Sequence, residues 1–338
     1  MKVLVYFENE KALRKSGIGR AMRHQMTSLS SANQEFTINP KDNFDMVHIN
    51  TLYNKSYRLL KKCKKNNIPV IVHGHSTFED FRDSFNFWKI AKIYFYHQIK
   101  VMYKNADVII THTDYSKKLI ESYGYDRLVY SCSNGIDLNE YAYSQEKVDA
   151  FKKAFNIKEG EKVIIGVGLL FQRKGLHDFV EIARSFPDIK FIWFGSLPYI
   201  ARSRIIKKAM KNKPDNVIFP GYIANDIIKG AYLYSSCFLF PSYEETEGIV
   251  VLESLASKCV TLVRDIGVYD GWLEDNKNCY KARNNEEFVN KIKYILENDN
   301  SQIIENGYEV VKERTLDKVG LKLKDIYEKT YKDFKEKN

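Results

Sequence analysis

Several features are scarce or absent in this sequence, and each absence excludes a class of protein. Cysteine occurs five times, an odd number, and no two form a C-x-x-C pair, so neither a disulfide framework nor a zinc knot is expected. Glycine and proline contribute only 17 and 7 of 338 residues, too few for a collagen-like or low-complexity chain. The longest apolar stretch, 164–171, contains two glycines and is far shorter than the roughly 18 residues needed to span a bilayer. We therefore expect ordinary thiols and, if the chain contacts a membrane, peripheral contact.

The chain begins without a secretory signal, because only five apolar residues, 3–7, separate Lys2 from Glu8. A cytosolic location is the expectation. Hydrophobic residues make up 44% and charged residues 28%, which favours a globular protein over a disordered one. Lys and Arg number 53 against 43 Asp and Glu, a net charge of +10. The partner should be anionic: nucleic acid, a membrane surface or a phosphorylated small molecule.

Short apolar runs alternate with longer amphipathic stretches, which is typical of strands buried on both faces of a parallel sheet. Ten runs predict strands: 2–7, 45–49, 70–73, 108–111, 128–131, 162–168, 190–194, 217–219, 237–240 and 260–263. The pattern predicts an α/β protein with two doubly wound parallel-sheet domains, residues 1–150 and 151–312. A helix rich in Lys, Leu and Tyr is expected over 313–338, where it could cap the second domain or cross back to the first.

Two motifs of the first half are ambiguous from the residues alone. Gly17-Ile18-Gly19-Arg20 would let the backbone approach a ligand at a helix start, but Met22 replaces the third glycine of a dinucleotide fingerprint, which argues against a nicotinamide oxidoreductase. His73 and His75 end a strand at the edge where ligands of doubly wound folds bind. They are either a hydrogen-bonded edge pair or two ligands of a metal site whose third ligand is not evident.

The second half carries the more specific residues. Arg173 and Lys174 follow the strand containing Gly166 and Gly168 and open a helix, a combination that suits a diphosphate. Residues 241–256 run from a strand through an acidic loop into an apolar helix. Glu245 and Glu253 lie eight apart, and a carboxylate within an apolar helix needs hydrogen-bond donors such as ligand hydroxyls. No Asp-x-Asp occurs, so a divalent-metal sugar-nucleotide site is not supported.

Taken together, these motifs resemble the retaining nucleotide-sugar glycosyltransferases of family four, which have the GT-B fold. The resemblance covers essentially the whole chain in order, and it also includes 133–137 and Gly221-Tyr222. Within the family the chain looks most like bacterial enzymes that add a second hexose to monoglucosyldiacylglycerol, through the similar segments 6–8, 15–20, 47–51, 73–77 and 243–253. The implied architecture is two Rossmann-like domains facing a central cleft, with the C-terminal helix crossing back to the first.

The resemblance implies roles for individual residues. The implied catalytic set is His75, Arg173, Lys174 and Glu245. The implied donor-binding set is Gly17, Gly19, Arg173, Lys174, Tyr222, Glu245, Gly248, Ile249 and Glu253. Glu253 should hold the ribose hydroxyls, Glu245 should lie by the transferred sugar, and the two cations should neutralise the departing diphosphate. Many members have Arg where this chain has Leu169. Arg173 and Lys174 would then neutralise more of the phosphate charge, and Arg20 could contribute to that neutralisation.

The implied chemistry needs no metal and no cofactor other than the UDP-sugar itself. Transfer develops positive charge on the sugar and negative charge on UDP, and retention of configuration is attributed to same-face attack without a protein nucleophile. The donor would be UDP-glucose or UDP-galactose, and the acceptor a glycolipid.

A lysine-rich aromatic segment from residue 85 to residue 104 predicts a helix that could lie on an anionic bilayer at the inner face of the cell membrane. The expected membrane-binding residues are Trp88, Lys89, Lys92, Phe95, Lys100 and Lys104. The simpler alternative is a domain helix with a solvated lysine face. Transfer to a soluble or cell-wall saccharide or to diacylglycerol itself also remains open, whereas nucleic-acid binding is disfavoured because zinc-finger and RRM signatures are absent.

Overall fold

The computed structural model describes residues 1–9, 17–82 and 88–337. The chain forms two compact units. The first comprises 1–81, 89–137 and the chain from Arg314 onward, and the second comprises 138–313 together with Arg82 and Trp88.

The described strands and helices alternate along the chain. The strands are β1 Val3–Tyr6, β2 Phe36–Thr37, β3 Met46–Ile49, β4 Val70–His73, β5 Val108–Thr111, β6 Leu128–Ser131, β7 Val163–Val167, β8 Lys190–Phe194, β9 Val217–Gly221, β10 Cys237–Phe240, β11 Thr261–Arg264 and β12 Tyr280–Ala282. The helices are α1 Gly17–Ser31, α2 Asn54–Lys65, α3 Phe78–Phe81, α4 Trp88–Asn105, α5 Asp114–Ser122, α6 Gln145–Phe155, α7 Leu176–Ala183, α8 Arg204–Lys211, α9 Asn225–Tyr234, α10 Ile249–Ala256, α11 Asn285–Glu297, α12 Ser301–Lys312 and α13 Leu316–Lys337.

The first unit contains a six-stranded parallel sheet in the order β2-β1-β3-β4-β5-β6. Alternate residues of each strand enter two separate cores, since successive side chains of a strand point to opposite faces. Leu4 packs with residues of α2 and α4 on one face, and Val3 and Val5 pack with α1 and α13 on the other. Both faces of the sheet are therefore covered, which explains why its strands are apolar throughout.

The second unit contains another six-stranded parallel sheet, in the order β12-β11-β10-β7-β8-β9. Strands β7 and β10 are neighbours near the middle of this sheet. Because parallel strands share one carboxyl edge, the loops that follow β7 and β10 emerge side by side. Those loops carry most of the residues that the sequence singled out in this half of the chain.

The expected fold class is confirmed, and the ten predicted strands are present. The prediction missed β2 and β12, edge strands of two and three residues that are too short for a periodic signal. The boundary drawn at residue 150 falls inside α6, whereas the compact units divide after Asp137. The C-terminal helix α13 packs against α1 in the first unit, as expected for a helix that crosses back. Within the described residues, no helix is long and apolar enough to cross a membrane.

Candidate functional site

The loop that follows β7 is held against the loop that follows β10 by a close backbone approach. A short 3-10 turn, Gln172–Lys174, ends at Gly175, whose φ of 74° lies in the left-handed region. A Cβ atom on Gly175 would lie 2.1 Å from the carbonyl oxygen of Pro241. The Tyr243 amide also donates to the Arg173 carbonyl at 2.7 Å. Glycine is therefore required where these two loops meet.

This approach brings together three of the predicted side chains. The Lys174 ammonium forms an ion pair with Glu245 Oε1, and Arg173 NH1 lies 3.8 Å from the same oxygen. The Ser242 hydroxyl donates to that oxygen at 2.7 Å. Burial works to raise the pKa of Glu245, but the charges of Lys174 and Arg173 and these hydrogen bonds outweigh it, and the pKa falls below its ordinary value. The carboxylate is thus held ionised between two cations.

A second buried cluster supports this loop, and the sequence analysis missed it. Arg264, at the end of β11, forms a 2.7 Å ion pair with Asp178 of α7, and the Tyr243 hydroxyl donates to the same carboxylate at 2.7 Å. Arg264 also donates to the backbone carbonyls of Pro241 and Arg283 and stacks over the Tyr243 ring. An arginine that directly continues an apolar strand was the available signal, because a buried guanidinium requires an anionic partner.

The other predicted residues of this half lie on α10 and β9. Gly248 caps α10 with a φ of 88°, and Ile249 is the first residue of that helix. Glu253 lies one turn further along, is only 1% exposed, and accepts a hydrogen bond from the Tyr232 hydroxyl at 3.2 Å. Tyr222 follows the edge strand β9 and is 67% exposed, two strands away from β7.

Tyr269 is a further residue that the sequence analysis missed. Its hydroxyl would lie 3.5 Å from a Cβ atom on Gly248, and the residue is fully buried. Among the described residues this hydroxyl has no hydrogen-bond partner. Burial, followed by the negative charge of Glu245, raises its pKa well above the ordinary value. It is therefore a neutral hydroxyl next to the start of α10.

In the first unit, Gly17 and Gly19 occupy the first turn of α1, as the sequence predicted for a helix start. His73 and His75 follow the carboxyl edge of β4, where they are not a simple pair. His112, which follows β5, contacts both rings, and His48 of β3 contacts His73. The sequence offered a signal for this cluster, because three neighbouring parallel strands each have a histidine at or near the carboxyl end.

The third imidazole that the metal interpretation lacked is thus present in His112. The ligand nitrogens of His73, His75 and His112 lie within 4.8 Å of one another. However, the His73 and His75 rings are stacked, with centroids 4.0 Å apart and an interplanar angle of 10°. Lone pairs lie in the ring plane, so stacked rings do not aim at a common point 2.0–2.1 Å from each nitrogen, as tetrahedral zinc requires. The present arrangement of the His73 and His75 rings does not fit tetrahedral zinc.

The predicted membrane-binding residues lie on α4, with different exposures. Lys89, Lys100 and Lys104 are exposed, whereas Trp88, Lys92 and Phe95 are half-buried. The Phe95 ring stacks on Phe81 and packs against the core, so it is not a surface aromatic residue. The exposed apolar side chains are instead Ile90 and Ile93, each 74% exposed, and Tyr94 at 48%. These three share one face of α4, because Ile93 and Tyr94 lie three and four residues after Ile90.

Chemically, the arrangement in the second unit can bind an anion. Two half-buried cations flank a loop at the carboxyl edge of the sheet, next to a helix start and an ionised carboxylate. The cations suit phosphate oxygens, and the carboxylate can accept hydrogen bonds from hydroxyls.

Comparison with known proteins gives two family matches that together span most of the chain. Residues 147–310 match Glycosyl transferases group 1, and residues 17–140 match Glycosyltransferase Family 4.

Two curated relatives and one solved structure are similar over most of their lengths. The processive diacylglycerol alpha-glucosyltransferase of Acholeplasma laidlawii is 50% identical over 98% of this chain and 99% of its own. The alpha-monoglucosyldiacylglycerol synthase of the same organism is 28% identical over 75% of this chain and 67% of its own. The crystal structure of Anabaena Alr3699/HepE in complex with UDP-glucose matches with a TM-score of 0.77 at 14% identity, over 97% of this chain and 100% of that one.

Proposed function

This chain belongs to glycosyltransferase family 4 and has the GT-B fold, and on that premise we propose that it transfers a hexose from UDP-glucose or UDP-galactose to monoglucosyldiacylglycerol at a membrane surface. The observation that carries the proposal is the pairing of Arg173 and Lys174 with the loop around Glu245. A glycosyl donor leaves as a diphosphate, and cations fixed in place before the reaction stabilise that developing charge.

Together with Arg173 and Lys174, the loop that follows β10 supports an assignment for each part of the nucleotide sugar; this loop, residues 241–248, is named the donor loop. Arg173 and Lys174 would hold the diphosphate, with the amides at the start of α10 beside it. Glu245 would accept hydrogen bonds from the transferred hexose, and Glu253 from the ribose. When the phosphates arrive, Lys174 exchanges part of its contact with Glu245 for a phosphate oxygen, which frees that carboxylate for sugar hydroxyls.

Two features of the mechanism follow from this assignment. The two cations supply the charge that a divalent metal would otherwise supply at the diphosphate, so we propose transfer without a metal. The relative that is 50% identical is named an alpha-glucosyltransferase. Since UDP-glucose is itself an α-glucoside, an alpha product means that configuration is retained, and we propose the same outcome for this chain.

The acceptor proposal rests on the names of the relatives, one a diacylglycerol alpha-glucosyltransferase and the other a synthase of alpha-monoglucosyldiacylglycerol. We propose monoglucosyldiacylglycerol as the acceptor. The word processive in the name of the first relative favours a second candidate, in which diacylglycerol itself is glucosylated first. Transfer to a soluble saccharide is the alternative that product analysis would reveal.

Peripheral membrane binding is proposed for the exposed face of α4. Ile90, Ile93 and Tyr94 form an apolar ridge, and Lys89 and Lys100 flank it. Exposed isoleucines next to lysines are the composition expected of a surface that dips into the headgroup region of an anionic bilayer.

The donor site is tested by comparing Lys174→Ala with Lys277→Ala in a UDP-glucose transfer assay. Lys277 is the matched control, because it also forms an ion pair with a glutamate in the second unit, but at the surface. We expect Lys174→Ala to lower kcat/KM by roughly 100-fold, the usual effect of removing one strong transition-state contact. Lys277→Ala should leave it unchanged. Equal activity of the two variants would refute the site assignment.

The membrane surface is tested by the double variant Lys89→Glu, Ile93→Ser. We expect a loss of about 3 kcal/mol of binding to phosphatidylglycerol vesicles, roughly 150-fold, from one isoleucine and a change of two charge units near the lipid surface. The control is Lys322→Glu, Leu321→Ser, which makes the same kind of change at an exposed pair on α13. Equal vesicle sedimentation by both variants would contradict a role for α4.

A further inference from the structure

Six side chains of the first unit form a continuous hydrogen-bonded chain that includes His75. Starting inside the core, the Tyr327 hydroxyl lies 2.7 Å from His48 Nδ1, and His48 Nε2 lies 3.0 Å from His73 Nδ1. The chain continues from His73 Nε2 to His112 Nδ1 at 3.4 Å, from His112 Nε2 to His75 Nδ1 at 3.0 Å, and from His75 Nε2 to Asn50 Oδ1 at 3.2 Å. Every ring nitrogen of the four imidazoles is engaged.

The two ends of this chain differ. Tyr327 is fully buried on α13 and also lies 3.3 Å from Gln25 Nε2. Asn50, at the other end, is only 2% exposed, but His75 next to it is the one histidine of the four that is partly exposed. Of these six side chains, His75 is therefore the one at which the chain can exchange protons with water or act on a ligand.

The hydrogen-bond arithmetic requires neutral rings. A neutral imidazole has one N–H donor and one lone pair, so each contact between rings pairs one donor with one acceptor. The Gln25 amide Nε2 also lies 2.8 Å from His48 Nδ1, so that nitrogen must accept, while His75 Nε2 must donate to Asn50 Oδ1. An added proton would therefore occupy a nitrogen that already accepts a hydrogen bond and would place two donors against each other. The other hydrogen-bond partners of these rings bring no negative charge. Asn50 is neutral, and its side-chain amide donates to the His48 carbonyl at 3.3 Å. His112 also hydrogen-bonds to the Cys132 carbonyl, which is neutral as well.

We propose that His48, His73, His112 and Tyr327 are positioning residues that hold His75 neutral and in a fixed orientation, with the Nε2 hydrogen directed at Asn50. This inference rests on the proposed function, in which a hexose is transferred, and on the family resemblance, which assigns His75 to the catalytic set. Positive charge develops on that sugar during transfer, and an imidazolium beside it would oppose the reaction. A neutral ring with a fixed tautomer offers hydrogen bonding without that repulsion.

Two readouts on the full chain test the proposal, and the first needs no activity. In nuclear magnetic resonance of ¹⁵N-histidine-labelled protein, we expect the His75 ring to stay neutral from pH 8 to pH 5 as the Nε2–H tautomer. An ordinary titration of His75 near pH 6.5 in the native protein would overturn the proposal, even if no variant folds. Stoichiometric binding of added Zn²⁺ that shifts the His73, His75 and His112 resonances would also overturn it, in favour of a metal site.

The second readout compares His112→Leu with His112→Gln. Leucine breaks the chain next to His75, whereas a glutamine amide can still donate to one ring and accept from the other. We expect the leucine variant to restore an ordinary His75 titration and to lose kcat about ten-fold more at pH 6 than at pH 8, with the KM for UDP-glucose unchanged. The glutamine variant should recover the native pH profile. Identical His75 titration in native protein and leucine variant would refute the proposal. Absence of any transferase activity would refute the proposed function alone, because the ring titration is measured without substrate.

Discussion

The buried ion pair between Arg264 and Asp178 allows one effect to be calculated in some detail. Asp178→Asn keeps the shape of the side chain but removes the counter-charge of a guanidinium that is only 6% exposed. Breaking one partner of such a pair costs about 3–5 kcal/mol. Arg264 keeps two carbonyl acceptors, at 3.1 and 2.7 Å, so the lower end, about 3 kcal/mol, applies. For a unit of this size that corresponds to a fall in Tm of roughly 6–12 °C.

The assay is thermal unfolding followed by tryptophan fluorescence, since Trp193 and Trp272 are both buried in the second unit. Glu181→Gln is the matched control: it lies one turn further along α7 and pairs with Arg184 at the surface. An exposed pair of this kind contributes at most about 0.5 kcal/mol. Equal Tm values for the two variants would refute the idea that Arg264 and Asp178 hold the donor loop.

Three further predictions concern other buried positions. Gly175→Ala should displace the loop that follows β7 and lower both Tm and donor affinity, because the Cβ atom of the alanine would collide with the Pro241 carbonyl. An unchanged KM for UDP-glucose would contradict this prediction. Tyr269→Phe should raise the free energy of unfolding in the absence of donor by about 1 kcal/mol, and raise Tm with it, since it removes a buried hydroxyl with no partner among the described residues. A lower Tm would show that the hydroxyl is satisfied. The third concerns pH: burial lowers the pKa of His48 to about 3 and that of His112 to about 4, so the first unit binds fewer protons than the unfolded chain below pH 6.5. The free energy of unfolding of this unit should have its full value above pH 6.5, and the two rings should lower it by about 4 kcal/mol at pH 5. Hydrogen exchange of the amides in β3 to β5 measures this loss. Equal protection at pH 7 and pH 5 would refute the burial of neutral rings.

The sequence was sufficient for the fold because the strands of doubly wound sheets are apolar throughout, and that signal is local. It also singled out Arg173, Lys174 and Glu245, which lie in loops directly after strands β7 and β10 and which the structure brings into contact. Their contact depends on those strands being neighbours, which the order along the chain does not reveal.

What the sequence analysis missed depends on contacts between distant segments. Asp178 and Arg264 are 86 residues apart, and neither belongs to a recognisable motif. His48, His73 and His112 come together only because β3, β4 and β5 are adjacent and parallel. The exposed isoleucines of α4 were overlooked for a related reason, since the side of the helix that packs on the core is set by tertiary contacts.

The central claim is that this chain glycosylates a lipid, and product analysis tests it most directly. The purified protein is incubated with radiolabelled UDP-glucose, and separately with UDP-galactose, in phosphatidylglycerol vesicles that contain monoglucosyldiacylglycerol or diacylglycerol. We expect label in a diglycosyl lipid whose new bond is alpha, formed without added metal and in the presence of EDTA. Label found only in free sugar or in an added soluble saccharide, with none in lipid, would contradict it.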